Sequence, residues 1–367
     1  MVHLKSHLLL EVTQTVSKRS QFERLYKPSL IVANLVAAGR RSLIALREVV
    51  KCDVWLTGVR SGDIEFESHG YNLIIAEGFL KKLYINWARK LYVSDFQDWL
   101  GDLKLDFVKI LREKEDIEVL SIGRHSRNNW PLILDLFPKL VSITMAPVHF
   151  AEMMRSAPKE LFYLEEVRLK DGEGSLGSAL EALLVHRIKC PKLETIFYTD
   201  DSMNAVTIPD SNIAFPALKH LKIISTVKCC DPLDFSVVDG AKKLFPYLET
   251  LSITVDSYCQ QHAFRNLDNI EHVYDAFNLL HSDFFIELRY REKFHPDLEN
   301  GQDLRQFLAA KGKLHGNSNN FTVQRRYLKK ALIHEVIIIK YEDIYINVYD
   351  SSFNDGLSDD SSDEFSG

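Results

Sequence analysis

The sequence predicts an α/β protein in which strand–helix units stack into an irregular solenoid. Five segments share a core of alternating apolar residues, L-x-x-(L/I/V)-x-apolar, and looser copies flank them on both sides. From the first copy to the last, the starting positions step by 23, 24, 29, 25, 30 and 22 residues. Such a period indicates a repeat architecture, because a single unit cannot bury its apolar face and must stack on its neighbours. The seven copies begin at Ile117, Leu140, Leu164, Leu193, Leu218, Leu248 and Ile270.

Each unit divides into a strand and a helix. The alternation of apolar and polar residues predicts a short strand with one face inward. Helical stretches are predicted between strands, for example at Ser178–Lys189 and Ala241–Phe245. Four strands follow a similar tetrapeptide, FPKL, CPKL, FPAL or FPYL, whose proline disfavours helix in the residue before it. The proline therefore ends each helix and turns the chain into the next strand.

The period and the core motif resemble those of leucine-rich-repeat proteins over about residues 110 to 290.

The chain before the repeats has a different sequence pattern. Lys27–Val50 predicts two short helices broken at Gly39, and a β-rich patch follows. A helical module, a β patch and irregular leucine-rich repeats, in that order, resemble nematode-type F-box and F-box-associated proteins. The patch has alternating residues at Asp53–Leu56, Asp63–Glu67 and Leu73–Ile75.

We expect five segments along the chain. They are 1–52, a degenerate F-box-like helical module; 53–110, a β-rich segment with a first irregular repeat at Leu80–Ile85; 111–292, the leucine-rich repeats; 293–350, a C-terminal cap with a strand pair at Val336–Lys340 and Ile344–Tyr349; and 351–367, a disordered acidic tail. The tail prediction rests on charge. Eight acidic residues follow Lys340, the last basic residue, so residues 1–340 hold 45 basic and 43 acidic residues, a net charge of +2.

Charge, hydropathy and cysteine content limit which partners and which compartment we expect for this protein. The nearly neutral charge of residues 1–340 argues against nucleic acid as a partner, because dedicated nucleic-acid binders carry a strong basic excess. No run of about 18 apolar residues predicts a membrane span. The N-terminal HLLLEV is too short for a signal-peptide core. Five dispersed cysteines favour a reducing compartment, so we expect a cytoplasmic or nuclear protein, or both.

One motif suggests a nucleotide site. Gly172, Gly174 and Gly177 form G-x-G-x-x-G between a predicted strand and a predicted helix. However, the strand is charged at alternate positions, whereas the first strand of a dinucleotide-binding fold is apolar throughout. Asp171 and Glu173 would also repel a pyrophosphate. The glycines therefore favour a sharp turn, and a nucleotide-binding enzyme is kept as an alternative.

Other candidate chemistry is sparse. Four possible metal ligands occur, but adjacent cysteines cannot easily chelate one ion, so we expect unligated thiols and no metal or cofactor. They are Cys229, Cys230, Cys259 and His262. No G-x-S-x-G, H-E-x-x-H or P-loop motif is present, and we expect no enzymatic activity. A basic cluster precedes the segment ALIHEVIII and is interpreted as the exposed face of a short helix or as a phosphate, nuclear-import or acidic-tail contact. It consists of Arg325, Arg326, Lys329 and Lys330.

The remaining candidate site is the strand surface. In an L-x-x-L-x-L unit the third and fifth residues point away from the core, towards the concave face of the predicted solenoid. Charged and aromatic side chains mix there, as in surfaces that bind proteins. The predicted contact residues are Glu166, Arg168, Lys170, Phe197, His220, Lys222, Thr250 and Tyr274.

These residues predict a non-enzymatic protein that binds a protein client. The F-box resemblance implies a substrate-recognition adaptor of a ubiquitin ligase, with a Skp1-like adaptor bound at the N-terminal module. A regulatory scaffold with no link to a ligase is the alternative.

Overall fold

The structure is a computed structural model, and it describes residues 40–58, 64–68, 71–73, 78–93, 114, 116–123, 134, 136–158, 160–170, 173–200, 208–209, 215, 217–228, 233, 235–258, 267–294, 301–317 and 320–338. Within these residues the fold is mixed α/β, with seven helices and fourteen strands. The chain divides into two compact units. The first comprises residues 1–200, 204–223 and 236–251, and the second comprises residues 201–203, 224–235 and 252–367.

The first unit holds most of the predicted repeats. Its helices are α1 (Arg40–Asp53), α2 (Gly78–Trp87), α3 (Pro147–Ser156), α4 (Leu176–Val185) and α5 (Ser236–Leu244). Its strands are β1 (Val54–Gly58), β2 (Ile64–Ser68), β3 (Tyr71–Leu73), β4 (Lys90–Val93), β5 (Val119–Ile122), β6 (Ser142–Met145), β7 (Glu166–Leu169) and β8 (Thr195–Asp200), with the first residues of β9 (His220–Lys228) and β10 (Thr250–Tyr258).

The sheet of this unit has the strand order β8-β7-β6-β5-β4-β1-β2-β3. Strands β1 and β4 to β8 pair in parallel, whereas β1, β2 and β3 pair antiparallel. Parallel neighbours need a crossover connection, and α3 and α4 lie in such connections, between β6 and β7 and between β7 and β8. The strand predictions that begin at 117, 140, 164, 193, 218 and 248 are confirmed by β5 to β10.

One backbone arrangement recurs at the start of these strands. A single carbonyl oxygen accepts hydrogen bonds from two successive N–H groups of the next unit, at 2.8 to 3.1 Å. Because the same pair of bonds forms each time, equivalent residues of successive units stand side by side. The six carbonyls belong to Arg89, Glu118, Val141, Glu165, Glu194 and Lys219.

Burial follows the sequence repeat. The leucine that opens a unit and the two apolar strand residues are buried, as shown by Leu193, Ile196 and Tyr198. Aromatic residues of the tetrapeptide before the strand also reach the core, since Phe137 and Phe245 are each 1% exposed. Each such side chain contributes roughly 1.5 to 3 kcal/mol to folding by leaving water. On β7 and β8 the opposite face carries mainly polar and charged residues together with Phe197, and these side chains are half-buried or exposed.

The second unit contains α6 (Leu267–Leu279), α7 (Gly301–Lys311), β11 (Phe285–Phe294), β12 (Lys313–Gly316), β13 (Asn320–Arg326) and β14 (Lys330–Ile338), with the remainder of β9 and β10. Its strand order is β12-β13-β14-β11-β10-β9. Strands β11 and β14 pair in parallel, while β12, β13 and β14 form an antiparallel meander.

Two predicted repeats are helices instead. Leu80–Ile85 lies within α2, and the following strand is β4. The segment at Ile270 lies within α6. Leucines three residues apart fit a helix face as well as this repeat, so the motif alone does not distinguish the two. In α6 the apolar spacing continues with helical period, because Ile270, Val273 and Phe277 are all buried.

The predicted segment boundaries differ from the boundaries of the compact units. Helix α1 buries Leu46, Val49 and Val50 and contacts both α2 and β1, so residues 40–53 form part of the first unit. The second unit begins within the predicted repeats, ahead of residue 293. Strand β14 contains the first residues of the predicted strand Val336–Lys340. The first predicted N-terminal helix, the strand Ile344–Tyr349 and the tail 351–367 lie outside the described residues.

Candidate functional site

The candidate site is the exposed side of β6, β7 and β8 and of the first residues of β9 and β10, here called the open strand face. Buried residues alternate with half-buried or exposed ones along β7 and β8, whereas on β6 Ser142 is half-buried and Thr144 is buried. The parallel register sets equivalent side chains next to each other. All of its residues belong to the first compact unit. They are Ser142, Thr144, Glu166, Arg168, Lys170, Thr195, Phe197, His220, Lys222 and Thr250.

Phe197 lies at the centre of this face. Its ring centroid is 4.2 Å from the guanidinium carbon of Arg168 on β7 and 4.8 Å from the ammonium nitrogen of Lys222 on β9. Because β8 lies between β7 and β9, the two cations come from the strands on either side of the one that carries Phe197. A cation over an aromatic face contributes about 0.5 to 1 kcal/mol at an exposed site.

Glu166 fixes the position of Arg168. Its two carboxylate oxygens accept hydrogen bonds from Nε of Arg168 at 2.6 Å and from Nη2 at 3.2 Å. The hydroxyl of Ser142 on β6 donates a further bond at 3.0 Å. These two hydrogen bonds fix the orientation of the guanidinium plane and restrict the rotamers that the Arg168 side chain can adopt.

The ionisation of Glu166 reflects this setting. Partial burial by itself raises the pKa of the carboxyl group, but the hydrogen bonds from Arg168 and Ser142 and the charges of Arg168 and Lys222 outweigh burial. The net effect lowers the pKa of Glu166 below its ordinary value. Glu166 is therefore an anion at neutral pH and serves Arg168 as a fixed counter-charge.

The other predicted residues on this face surround the cluster. Lys170 follows β7 and is exposed, two residues beyond Arg168. His220 and Thr250 are half-buried at the starts of β9 and β10. The structure thus brings Glu166, Arg168, Phe197 and Lys222 into direct contact and places Lys170, His220 and Thr250 around them.

The prediction that Tyr274 lies on this face is wrong. Tyr274 lies on α6 in the second unit and is 1% exposed. Its hydroxyl is 3.2 Å from Nδ1 of His334, whose Nε2 is 3.0 Å from Glu292. All three side chains are buried, and burial raises the pKa of Tyr274. A helix in place of the predicted strand accounts for the error, because its buried face includes position 274.

Sequence reasoning did not include three further residues in the same rows. Trp55 on β1 pairs with Lys90 on β4, and the Lys90 ammonium lies 5.5 Å from the Trp55 ring centroid. Tyr92 continues the row that contains Arg168 and Phe197. Because β4 does not carry the L-x-x-L-x-L motif, only the strand register shows that these side chains belong to the same exposed face.

The glycine motif has a structural explanation. Gly174 has φ of +103°, and a Cβ there would lie 2.7 Å from the backbone nitrogen of Val148. Ser175 caps α4, because its hydroxyl accepts from the N–H of Ser178 while the Ser178 hydroxyl accepts from the N–H of Ser175. Gly177 is buried within the first turn of α4, and Gly172 lies outside the described residues. A left-handed turn and close packing are sufficient reason for Gly174.

A cavity of about 430 Å³ lies beside the turns that precede β6 and β7. Its lining is mostly apolar and includes Phe137, Leu161 and Phe162, the last of which is 57% exposed. Its carboxylate, Glu160, lies 3.1 Å from the ammonium of Lys189. Among the described lining residues, no second carboxylate, histidine or nucleophile accompanies Glu160, so the lining offers no acid–base pair.

Metal chemistry has little support in the described part of the chain, where no group of three or more His, Cys, Asp or Glu side chains is placed to hold an ion. Cys229, Cys230, Cys259 and His262, the predicted candidates, lie outside that part. Among the described residues, no helix is both long and apolar enough to cross a bilayer.

No family model, curated protein or solved structure matches this chain.

Proposed function

We propose that this chain is a non-enzymatic interaction protein that binds a protein client on the open strand face. The observation that carries the proposal is the exposed cluster around Phe197. An aromatic ring sits between two cations, and an ionised carboxylate fixes one of them. Aromatic residues and arginine are enriched where proteins bind one another, and a side chain that is already ordered loses less entropy on binding.

We further propose that the fold is a leucine-rich-repeat-type solenoid. Six strands follow the motif in order, and their starts share the same pair of backbone hydrogen bonds. Solenoids of this kind bind partners on an extended strand surface. The cluster on β7, β8 and β9 lies on that surface, so the fold and the site support the same function.

A paired charge reversal tests the proposal. Arg168→Glu with Lys222→Glu should release the client, because it removes both cations from the ring without touching the buried face. Lys242→Glu with Lys243→Glu on α5 changes the charge equally on exposed residues of a helix and should retain the client. The measurement is quantitative affinity purification with each full-length variant, after thermal unfolding shows that both are folded. If the first variant retained the client, the binding site would have to lie outside the open strand face.

Within this function we propose a substrate-recognition adaptor of a ubiquitin ligase, with a Skp1-like adaptor bound near the N-terminus. Helix α1 packs against α2 and β1, so this role must be tested in the full chain. Ile44 is 52% exposed on α1, whereas Ala45, Leu46, Val49 and Val50 of the same helix are buried. Exposed apolar residues of this kind are common contact points, and Ile44→Arg probes this one.

The adaptor and the scaffold roles differ in one outcome. If the chain is a ligase adaptor, Ile44→Arg loses the ligase subunit and keeps the client, while the Arg168 and Lys222 reversal does the opposite. If the chain is a scaffold, the wild-type protein captures its client without any ligase subunit. Comparison of the three purifications decides between the two roles.

A further inference from the structure

We propose that the client presents an acidic, extended segment to the open strand face, with carboxylates at alternate positions. This inference rests on the proposed function and adds the chemistry of the partner. Among the described residues of the open strand face, Arg168, Lys170 and Lys222 carry positive charge, and only Glu166 carries negative charge. The charge on this face therefore favours an anionic partner.

The single acid does not neutralise the face. Glu166 already binds Arg168 and Ser142, so its charge serves to position the guanidinium. It engages Nε and Nη2 of Arg168, and among the described residues no bond to Nη1 is formed. A second carboxylate can therefore approach Nη1 while the first contact remains in place.

The spacing of the cations selects an extended peptide. The Arg168 guanidinium carbon and the Lys222 ammonium nitrogen flank one ring, so they are at most about 9 Å apart. Side chains at positions i and i+2 of an extended strand point to the same side and are roughly 7 Å apart. A segment that crosses β7 to β9 with acids at such positions can meet both cations at once, and Lys170 extends the same positive surface.

A protein segment fits this surface better than single-stranded nucleic acid. Base stacking requires an uncovered aromatic face. The Phe197 ring already has the Arg168 guanidinium carbon 4.2 Å from its centroid and the Lys222 ammonium nitrogen 4.8 Å from it, so both cations compete with a base for the ring. Nucleic-acid surfaces also need a larger basic excess than three cations around a fixed carboxylate.

Fluorescence anisotropy with the full-length chain tests this inference. The probe is a fluorescein-labelled peptide of about twelve residues that alternates Glu and Thr, so that its acids repeat every second position. A Gln–Thr peptide of equal length controls for charge, and labelled oligothymidylate controls for nucleic acid. We expect the Glu–Thr peptide to bind about tenfold more tightly than the Gln–Thr peptide, and to lose affinity as salt rises from roughly 50 to 300 mM.

Single neutral substitutions then locate the contact. Arg168→Gln and Lys222→Gln should each weaken binding of the Glu–Thr peptide by about fivefold, because each removes one charge contact. Lys242→Gln on α5 is the matched control and should leave the affinity unchanged. Equal binding of the two peptides, tighter binding of oligothymidylate, or unchanged affinity in both face variants would overturn the inference.

The two proposals fail in different ways. If the Glu–Thr peptide does not bind but charge reversal at Arg168 and Lys222 still releases the client, the face binds its client by other chemistry. Only the acidic-segment inference then fails. If the client is retained after charge reversal, the proposed function itself fails, whatever the peptide does.

Discussion

The guanidinium carbon of Arg168 lies 4.2 Å from the centroid of the Phe197 ring, directly across the boundary between β7 and β8. The two residues are register partners in the parallel pair, so the contact follows from the position of each residue within its own repeat. Both occupy the fifth position of the L-x-x-L-x-L motif. The contact therefore forms because successive repeats stack in register. Glu166, at the third position of the motif on β7, stabilises it by binding Arg168.

Glu166→Gln tests the counter-charge. Because the folded-state pKa of Glu166 is lowered, its contribution to stability is present above the ordinary carboxyl pKa and is lost as the pH falls through the lowered value. At neutral pH we expect the variant to lose only ~0.5 kcal/mol of unfolding free energy, because the pair is partly exposed to water. Urea unfolding at several pH values between neutral and acid measures this difference. A difference that grew on acidification would contradict the assignment.

Tyr84→Phe tests the core beneath α2. Tyr84 is 4% exposed and packs edge-on against Phe66, and burial raises the pKa of its hydroxyl to about 12. The stabilisation is therefore present below pH about 10 and is lost as the pH rises through about 12. Without the hydroxyl, the free energy of unfolding should fall by about 2 to 3 kcal/mol less between neutral pH and pH about 12 than it does in the wild type. Denaturant unfolding between neutral pH and pH 12 measures it, and an identical pH dependence in both proteins would show that Tyr84 does not contribute.

Gly174→Ala tests the structural reading of the glycine motif. The new Cβ would meet the backbone of Val148 at 2.7 Å in a left-handed conformation, so we expect a loss of roughly 1 to 3 kcal/mol without any ligand present. Glu173→Ala, at an exposed neighbour, is the control and should have little effect. Thermal unfolding with and without dinucleotides distinguishes a structural turn from a nucleotide-binding loop. An unchanged melting temperature in the variant, together with stabilisation of the wild type by a dinucleotide, would restore the nucleotide reading.

Lys330→Met tests how α6 ends. The ammonium of Lys330 donates hydrogen bonds to the carbonyls of Phe277, Asn278 and Leu280 at 2.7 to 2.9 Å. These carbonyls lie at the end of a helix, where backbone acceptors have no partner within the helix. Loss of the three bonds should cost roughly 1 to 3 kcal/mol.

The neighbouring Lys329→Met is the control for that substitution. Lys329 is more exposed and donates to a single carbonyl, that of Asp283, so its loss should have a small effect on stability. Denaturant unfolding of both variants provides the comparison. Equal losses would show that the helix end does not depend on Lys330.

The basic cluster shows how context changes the meaning of a motif. The sequence suggested an exposed helix face, or a phosphate, nuclear-import or acidic-tail contact, for Arg325, Arg326, Lys329 and Lys330. In the structure these residues lie at the turn between β13 and β14, and Lys330 caps α6. Two basic pairs separated by two residues fit a turn and its flanking strand ends as well as a helix, and only the position of α6 assigns Lys330 its role.

The strands of the first unit could be predicted because alternation, proline and spacing all indicate the same element. The third and fifth positions then gave the exposed residues of β7, β8 and β9 correctly. The contact of Phe197 with both Arg168 and Lys222 could not be predicted, because it depends on register between strands that are 25 to 29 residues apart. Tyr274 was misplaced because leucine-type spacing of three residues also suits a helix.

Site-specific photocrosslinking tests the central claim most directly. A photoreactive amino acid replaces Thr195, which lies on the open strand face two residues before Phe197, and in a second protein it replaces Glu181, which is exposed on α4. After ultraviolet irradiation in extracts of cells that express the chain, mass spectrometry identifies the crosslinked partner and the position. We predict that the client crosslinks through position 195 and not through position 181. Crosslinks to the same client through position 181 alone would contradict binding on the open strand face.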